Sequence, residues 1–167
     1  WRQVVETDEV VLKDYESYSP DGGGETAFLG APIHDESGKQ IGVAALQMNS
    51  DAIDAIVQQR QGLGTTGETY LVGVCGGSGT HQLRSTRTVK SGAIGDEKSD
   101  AFVAKALAGE RGHGMKTGST GSAEFVCYGP VEIDGLKWGI CTTMSVEEAL
   151  AVKLDGEEKD LLTKFME

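Results

Sequence analysis

A glycine-rich stretch, GLGTTGETYLVG at residues 62–73, has the spacing in this sequence that comes closest to a chemical motif. Gly62, Gly64 and Gly67 match the G-x-G-x-x-G of dinucleotide-binding loops and the G-x-x-x-x-G of phosphate-binding loops. Both loops need a strand before the glycines and a helix after them, because the amides at the helix N-terminus hold the phosphates. Here a predicted helix precedes the glycines and a predicted strand follows, and Glu68 stands where a phosphate-binding loop has lysine. The sequence therefore favours a tight turn into a new sheet over a nucleotide-using enzyme.

Other residue types that could carry chemistry are dispersed. His34, His81 and His113 lie far apart, without the H-x-H or H-E-x-x-H spacing that brings metal ligands together. The sequence has no G-x-S-x-G motif for a nucleophilic serine. We therefore expect no metal site, no cofactor and no catalytic residue.

The three cysteines form no C-x-x-C pair. If the hairpin loop before the third cysteine comprises residues 133–135, Cys127 and Cys141 become cross-strand neighbours and could form a disulfide in an oxidising compartment. A two-residue loop would place Cys127 opposite Thr142 instead. Free thiols in packed strands are the favoured expectation for Cys127 and Cys141, because a buried cysteine behaves as a small apolar residue.

Composition narrows the class of partner. The 167 residues include 26 acidic and 15 basic side chains, a net charge of −11, and the basic residues are scattered along the chain. A nucleic-acid partner is therefore not expected. No apolar run approaches the roughly 18 residues that span a bilayer. Because the chain starts at Trp1 and stops within the helical pattern EEKDLLTKFME, we expect it to be part of a longer protein.

Local signals predict alternating groups of strands and helices. The predicted elements are a strand within 9–20, hairpin strands over 26–33 and 40–48, a helix over 50–61, strands over 68–74 and 81–86, a helix ending at Gly109, two strands around Asp134-Gly135, and a last helix begun by the capping box Ser145-x-x-Glu148. Because the connections are mostly antiparallel, the fold class is α+β, with a PAS-like antiparallel sheet flanked by helices.

Three quoted segments carry a family resemblance: DYESYSP…AFLGAPIHDESGKQIGVAALQM, GLGTTGETYLVG and LRSTR. Together they resemble the double Cache (tandem PAS-like) extracytoplasmic sensor domains of bacterial chemoreceptors and receptor-type adenylate cyclases. The positions that match this pattern are Tyr15, Tyr18, Pro20, Phe28, Pro32, Gly42, Val43, residues 62–73, Arg84, Ser85, Arg87, Tyr128, Pro130 and Trp138. The paired aromatics and arginine that bind amino acids in some of these sensors are not visible, so the resemblance does not imply an amino-acid ligand.

The resemblance implies a domain organisation and a function. Residues 1–61 would be the closing strands of a membrane-distal module and a connecting helix, residues 62–152 a complete membrane-proximal module, and residues 153–167 a helical extension. The implied function is extracytoplasmic sensing of a small molecule, or transmission of its binding, by a non-enzymatic part of a membrane-anchored, dimerising receptor. An alternative is a structural protein-interaction domain without a small-molecule ligand.

Six residues are predicted to line a ligand site: Tyr70, Arg84, Ser85, Arg87, Tyr128 and Trp138. Because Arg84 and Arg87 are three apart on a strand, they are expected to point to opposite faces, so that at most one faces the pocket. Arg84 with Tyr70 or Tyr128 could clamp a carboxylate, although a surface ion pair between Arg84 and a local acid is favoured. Core packing is likewise the favoured role of Trp138 and Tyr128.

Overall fold

The computed structural model describes residues 1–74 and 79–151, which form two antiparallel sheets and several short helices. In chain order the elements are helix α1 (Arg2–Thr7), strand β1 (Val11–Tyr18), a 3-10 turn (Ser19–Asp21), strands β2 (Gly24–His34) and β3 (Gln40–Met48), helix α2 (Asp51–Val57), strands β4 (Glu68–Val74) and β5 (His81–Leu83), helix α3 (Ala101–Leu107), strands β6 (Gly112–Thr117), β7 (Ala123–Val131) and β8 (Trp138–Ser145), and helix α4 (Val146–Ala151). The predicted α+β class is confirmed.

The first sheet has the strand order β1-β2-β3. The β2–β3 hairpin forms where the sequence predicts it, because Asp35 caps the turn: its Oδ1 accepts the amides of Ser37 and Lys39 at 2.8 and 3.1 Å. Gly38 takes the left-handed conformation (φ 80°) that the turn requires.

The second sheet has the strand order β5-β4-β8-β7-β6, with β8 between β4 and β7. Its β7–β8 register pairs Cys127 with Thr142 and Tyr128 with Cys141. The register is therefore the one predicted for a two-residue loop, and the disulfide alternative is wrong. Cys127 and Cys141 are free thiols, as favoured, while Cys75 lies outside the described residues.

Helix α3 covers one face of the five-stranded sheet. It begins at Asp100, whose Oδ1 accepts the amides of Phe102 and Val103, each at 3.0 Å. The helix packs Val103 and Leu107 against an apolar cluster on the sheet, which includes Tyr70, Val72, Leu83 and Cys141. We call this side of the sheet the helix face.

The opposite face packs against the three-stranded sheet and α2. Leu71 and Trp138 from the five-stranded sheet form one buried cluster with Tyr15 and Ala27 from the three-stranded sheet. The Tyr15 and Trp138 rings are stacked, with centroids 6.0 Å apart. The two sheets thus share a core.

Two predicted elements are shorter in the structure. The helix predicted over 50–61 ends at Val57, because Arg60 donates to the carbonyls of Gly64, Thr65 and Gly67 and holds the following segment in a loop. The strand predicted over 81–86 ends at Leu83. Beyond Leu83 the Leu71 amide donates to the Ser85 hydroxyl at 2.9 Å. In a continued strand it would donate to a backbone carbonyl of β5 instead.

The last helix begins after Ser145 as predicted, but its capping box is only half formed. The Ser145 Oγ accepts the amide of Glu148 at 3.1 Å, whereas the Glu148 carboxylate does not return to the Ser145 amide. It accepts the amides of Thr65 and Thr66 instead, and the Ser145 amide donates to Thr66 Oγ1 at 3.1 Å. The helical extension predicted over 153–167 lies outside the described residues.

Candidate functional site

A cavity of about 390 Å³ lies on the helix face, between the start of α3, the end of β6 and the loop after β5. Its charged lining residues are Arg87, Lys90, Lys98, Asp100, Lys116 and Glu124. Binding sites for small metabolites in proteins are commonly about 300–1,000 Å³. The cavity is therefore large enough for a small molecule, and most of the residues that line it are polar.

Arg87 forms one wall of the cavity, on top of a buried tyrosine. Its guanidinium carbon lies 4.1 Å from the centroid of the Tyr70 ring, and its Nη2 donates to Glu68 Oε1. Glu68 is fully buried, and its other carboxylate oxygen accepts the amides of Thr88 and Val89 at 3.2 and 3.1 Å. Burial opposes the charge on Glu68, but the Arg87 and backbone hydrogen bonds outweigh it, so the pKa is lowered. Glu68 therefore holds Arg87 in place as a charged partner.

Asp100, the residue at which α3 begins, lies in a second wall of the cavity. Its Oδ2 accepts hydrogen bonds from Lys98 at 2.9 Å and Lys116 at 2.8 Å. Burial raises the pKa of Asp100, but these two ammonium groups and the amide of Val103 lower it by more, so the carboxyl group is ionised at neutral pH. One carboxylate thus gathers two lysines at the cavity.

The third wall contains polar atoms without a partner. Lys90 Nζ donates to Glu124 Oε1, while Glu124 Oε2 and Arg87 Nε are buried and have no hydrogen-bond partner within the described part of the chain. Both residues line the cavity, and both side chains are only 7% exposed. A donor and an acceptor are thus left unpaired at one cavity, which is uncommon because unpaired buried groups are destabilising.

Arg84 and Trp138 lie on the opposite face, away from this cavity. Arg84 is 1% exposed and donates from Nε to Asp14 Oδ2 at 3.0 Å, and Trp138 Nε1 donates to Asp14 Oδ1 at 3.0 Å. Arg84 and Arg87 do point to opposite faces, as predicted. The expectations that Arg84 pairs with Tyr70 or Tyr128, or forms a surface ion pair, are both wrong, because β1 covers it and supplies the buried pair. Core packing is confirmed for Trp138.

The two remaining predicted site residues have structural contacts. Ser85 is fully buried and its hydroxyl caps the edge of β4 at Leu71. Tyr128 lies on the helix face, where its ring centroid is 5.5 Å from that of Phe102. Of the six predicted residues, the structure therefore places Arg87 in the cavity lining, Tyr70 buried beneath the Arg87 guanidinium, and Tyr128 on the same face.

A larger open cavity of about 900 Å³ lies where β1 faces the β7–β8 loop, and Arg84 is among its lining residues. Two of its charged lining residues, Asp14 and Arg84, are already paired with each other, and Trp138 donates to the same carboxylate. We consider it a cleft between the two sheets and place the candidate site on the helix face.

The glycine-rich loop already holds an anion from the chain itself. Glu148 Oε1 accepts the Thr65 amide at 2.6 Å and Oε2 accepts the Thr66 amide at 2.7 Å. The hydroxyls of both threonines also donate to this carboxylate. These amide and hydroxyl hydrogen bonds lower the pKa of Glu148 to about 2. The loop amides that a phosphate would need are occupied, which agrees with the turn interpretation.

Sequence reasoning missed most of the charged residues at the cavity. Lys116 lies on β6, which was not predicted because Gly112 and Gly114 weaken the strand signal. A Cβ on Gly114 would lie 2.8 Å from the Phe102 ring, so the glycine makes room for it. The alternation of glycine with larger residues over 112–115 was the signal that could have predicted β6. Helix α1 was not predicted either.

No helix in the described ranges is long and apolar enough to cross a membrane. Within residues 1–74 and 79–151, no group of three or more His, Cys, Asp or Glu side chains is arranged to hold a metal ion.

The fold of this chain is similar to that of several solved structures. No family model matches the chain, and no curated protein matches its sequence. The periplasmic sensory domain of the Campylobacter jejuni chemoreceptor Tlp1 superposes with a TM-score of 0.65 at 11% identity, over 91% of this chain and 56% of that one. The extracellular domain assigned to a histidine kinase, mmHK1S-Z3, gives 0.60 at 24% identity, over 90% and 54%. The chain has the fold of Cache-type sensor domains.

A third similar structure is a ligand complex. The ligand-binding domain of the Pseudomonas aeruginosa amino acid chemoreceptor PctC, solved with GABA, gives a TM-score of 0.57 at 18% identity, over 87% of this chain and 60% of that one. The chain thus spans somewhat more than half the length of these Cache-type domains. The predicted PAS-like, Cache-type sheet is confirmed at the level of the fold.

Proposed function

We propose that this chain is the extracytoplasmic ligand-sensing or signal-transmitting part of a bacterial membrane receptor, of the chemotaxis or cyclase and kinase type. The observation that carries the proposal is the cavity on the helix face, where Arg87, packed over the Tyr70 ring, lies among three lysines. The Cache-type fold supports it, because similar domains are described as sensory or ligand-binding parts of chemoreceptors.

The proposal includes the organisation expected from the sequence. Residues 1–61 would close a membrane-distal module and residues 62–152 would form the membrane-proximal one, in a membrane-anchored and homodimeric parent protein. The role is non-enzymatic: ligand binding would favour one of two arrangements of the helices against the sheet, in proportion to its difference in affinity for them.

A role in signal transmission has separate support. The Glu148 carboxylate joins the first turn of α4 to the loop that enters β4, through the Thr65 and Thr66 amides. Because Glu68 and Tyr70 of β4 contact Arg87, a displacement of Arg87 that shifts β4 would therefore move α4 with it. Helix α4 is the element through which we propose that the signal leaves the sheet.

A ligand screen by thermal unfolding tests the sensing proposal. The purified chain is melted with organic acids, amino acids, amines, purines and sugars, beside an Arg87→Met variant. A ligand at one hundred times its dissociation constant would stabilise the fold by about 2.7 kcal/mol, and the substitution should abolish this shift. The proposal of a sensing role is wrong if no class of compound raises the melting temperature and cavity substitutions leave signalling by the parent receptor unchanged.

A further inference from the structure

We infer that the cavity on the helix face binds a small monocarboxylate at two lysines that share one aspartate. This inference rests on the proposed sensing function and names the chemical class of its ligand. Three features of the cavity lining carry it: the balance of charge, the N–H donors that the two lysines leave unused, and the apolar side chains beside them.

The balance of charge leaves one positive charge over at a definite place. Two of the four cations in the lining each have a carboxylate of their own, Arg87 with Glu68 and Lys90 with Glu124. Lys98 and Lys116, by contrast, both pair with Asp100. One positive charge therefore remains at this pair of lysines, in a chain whose net charge is −11. A ligand with one negative charge would neutralise it.

The two ammonium groups lie close enough to bind the same carboxylate. Lys98 Nζ donates to Asp100 Oδ2 at 2.9 Å, and Lys116 Nζ donates to the same oxygen at 2.8 Å. Because they share an acceptor, the two nitrogens are less than about 6 Å apart. Each oxygen of a carboxylate accepts from an ammonium group at about 2.7–2.9 Å. One ligand carboxylate can therefore accept a hydrogen bond from each lysine.

Both lysines keep N–H donors for this ligand. An ammonium group has three donors. Lys98 Nζ donates to Asp100, and Lys116 Nζ donates to Asp100 and, at 3.5 Å, to the Tyr70 hydroxyl. Within the described part of the chain, two donors of Lys98 and one of Lys116 are thus unused. Both side chains line the cavity and are 21% and 16% exposed, so a ligand can reach them.

Side chains, and not the start of α3, would hold the anion. The amides of Phe102 and Val103 already donate to Asp100 Oδ1, each at 3.0 Å. These backbone donors are therefore occupied, and the lysine ammonium groups remain as the charged donors of the site.

The apolar part of the lining narrows the class of anion. Ala101 and Phe102 line the cavity together with the two lysines, and its volume of about 390 Å³ limits the ligand to a small molecule. A short hydrocarbon tail can bury apolar surface there, whereas inorganic phosphate has none to bury. An amino acid would bring a further ammonium group to a place where positive charge is already in excess. The lining therefore favours a monocarboxylate without an amino group.

Calorimetric titration with four small compounds tests the class of ligand. Propionate has the charge and the short tail, propionamide lacks the charge, alanine adds an ammonium group, and inorganic phosphate lacks the tail. We expect propionate to bind roughly tenfold or more tightly than each of the others, because each of them loses or opposes one contact. Equal affinity for propionate and propionamide would show that the surplus charge binds no ligand, and tighter binding of alanine or phosphate would contradict the monocarboxylate.

Substitutions locate the binding. Lys98→Met and Lys116→Met should each weaken propionate binding roughly tenfold, because each removes one charged donor. Asp100 keeps one lysine in either variant, which preserves its charged partner, and if one variant does not fold the other carries the test. Unchanged propionate binding in both variants would place the ligand elsewhere and overturn the inference.

Lys105→Met is the matched control. Lys105 is exposed on the same helix and outside the cavity lining, and the substitution changes the net charge by the same amount. It should bind propionate as the parent does. Equal weakening in this variant would mean that net charge, and not the pair of lysines, determines the affinity.

The outcomes separate this inference from the proposed function. If an amine, purine or sugar stabilises the chain in a manner that depends on Arg87 or Lys98 while propionate does not bind, sensing stands and the monocarboxylate is wrong. If propionate binds at the two lysines but does not alter signalling by the parent receptor, the binding site stands and its sensing role is wrong. If none of these compounds binds and cavity substitutions leave signalling unchanged, both are wrong.

Discussion

At the scale of single residues, Glu68 determines how the cavity is built. Its carboxylate accepts from Arg87 and from the amides of Thr88 and Val89, so it fixes both a side chain and the loop after β5. From the sequence, Glu68 served only as an argument against phosphate binding. A buried acid whose partners lie about twenty residues further along the chain gives no local signal.

The two described cysteines should differ in reactivity. Burial raises the pKa of Cys141 to about 11, with a further contribution from Asp100, whereas Cys127 is exposed. Because the thiolate is the reactive form, we expect Cys127 to react promptly with a thiol reagent and Cys141 to react only after unfolding. Labelling of a Cys75→Ser protein, with and without Cys127→Ser, measures this. Rapid labelling of Cys141 in the folded double variant would contradict the buried position.

At the scale of elements, Asp14 connects β1 to the five-stranded sheet. It accepts hydrogen bonds from Arg84 and Trp138, and its side chain is 24% exposed while that of Arg84 is 1% exposed. These two hydrogen bonds join Asp14 to residues that lie 70 and 124 positions further along the chain. The strand that contains Asp14 was predicted, but this pairing was not, because strand periodicity says nothing about which sheet a strand will face.

An Asp14→Asn substitution should therefore destabilise the protein strongly. It leaves the buried Arg84 charge without its counter-ion, and we expect a loss of about 2–3 kcal/mol of unfolding free energy. Chemical denaturation measures the loss. Asp8→Asn is the control, because Asp8 pairs with His34 on an exposed surface and should change stability by less than about 0.5 kcal/mol. Similar losses in the two variants would contradict the buried bridge.

The contact between Glu148 and the glycine-rich loop should depend on pH. The pKa of Glu148 falls from 4.5 to about 2 on folding, so its stabilising contribution is complete above about pH 5 and is lost as the pH falls towards 2. Glu148→Gln should lower the melting temperature near neutral pH, and the difference from the parent should shrink below pH 4.5. Glu147→Gln, one residue earlier on the exposed side of α4, should melt as the parent does at each pH. A difference that persists at pH 2 would show that charge is not the cause.

At the scale of the whole molecule, the two sheets share one apolar core. Tyr15 and Ala27 of the first sheet are buried against Leu71 and Trp138 of the second. The domain boundary proposed at residues 61 and 62 therefore divides the topology of the chain but not its apolar core.

A fragment of residues 62–167 tests this shared core. Without β1 and β2, Trp138 and Arg84 lose their cover, so we expect a broad melting transition and red-shifted Trp138 emission. The comparison is the full chain with Trp1→Phe, in which Trp138 is the remaining tryptophan. A fragment that melts sharply with unshifted emission would show that residues 62–152 are an independent module.

The part of this molecule that the sequence could predict is its local structure. The β2–β3 hairpin, with its turn residues Asp35 and Gly38, was predicted nearly to the residue, and the helix that ends before Gly109 was predicted without its start at Asp100. The cavity was predicted only through Tyr70 and Arg87, because its lysines and acids are brought together by the order of strands in the sheet. Strand order depends on packing between distant segments, which the local pattern does not record.

The carboxylate of Glu148 also has a consequence for folding kinetics. Its contacts with Thr65 and Thr66 close a loop of 82–83 residues that contains every strand of the five-stranded sheet. Such a long-range contact should form late, after β4 and β8 have paired, and should be absent from the folding transition state. Glu148→Gln should then leave the folding rate nearly unchanged and raise the unfolding rate. The junction between α4 and the loop would thus determine how long the folded domain persists, while the sheet determines how fast it forms.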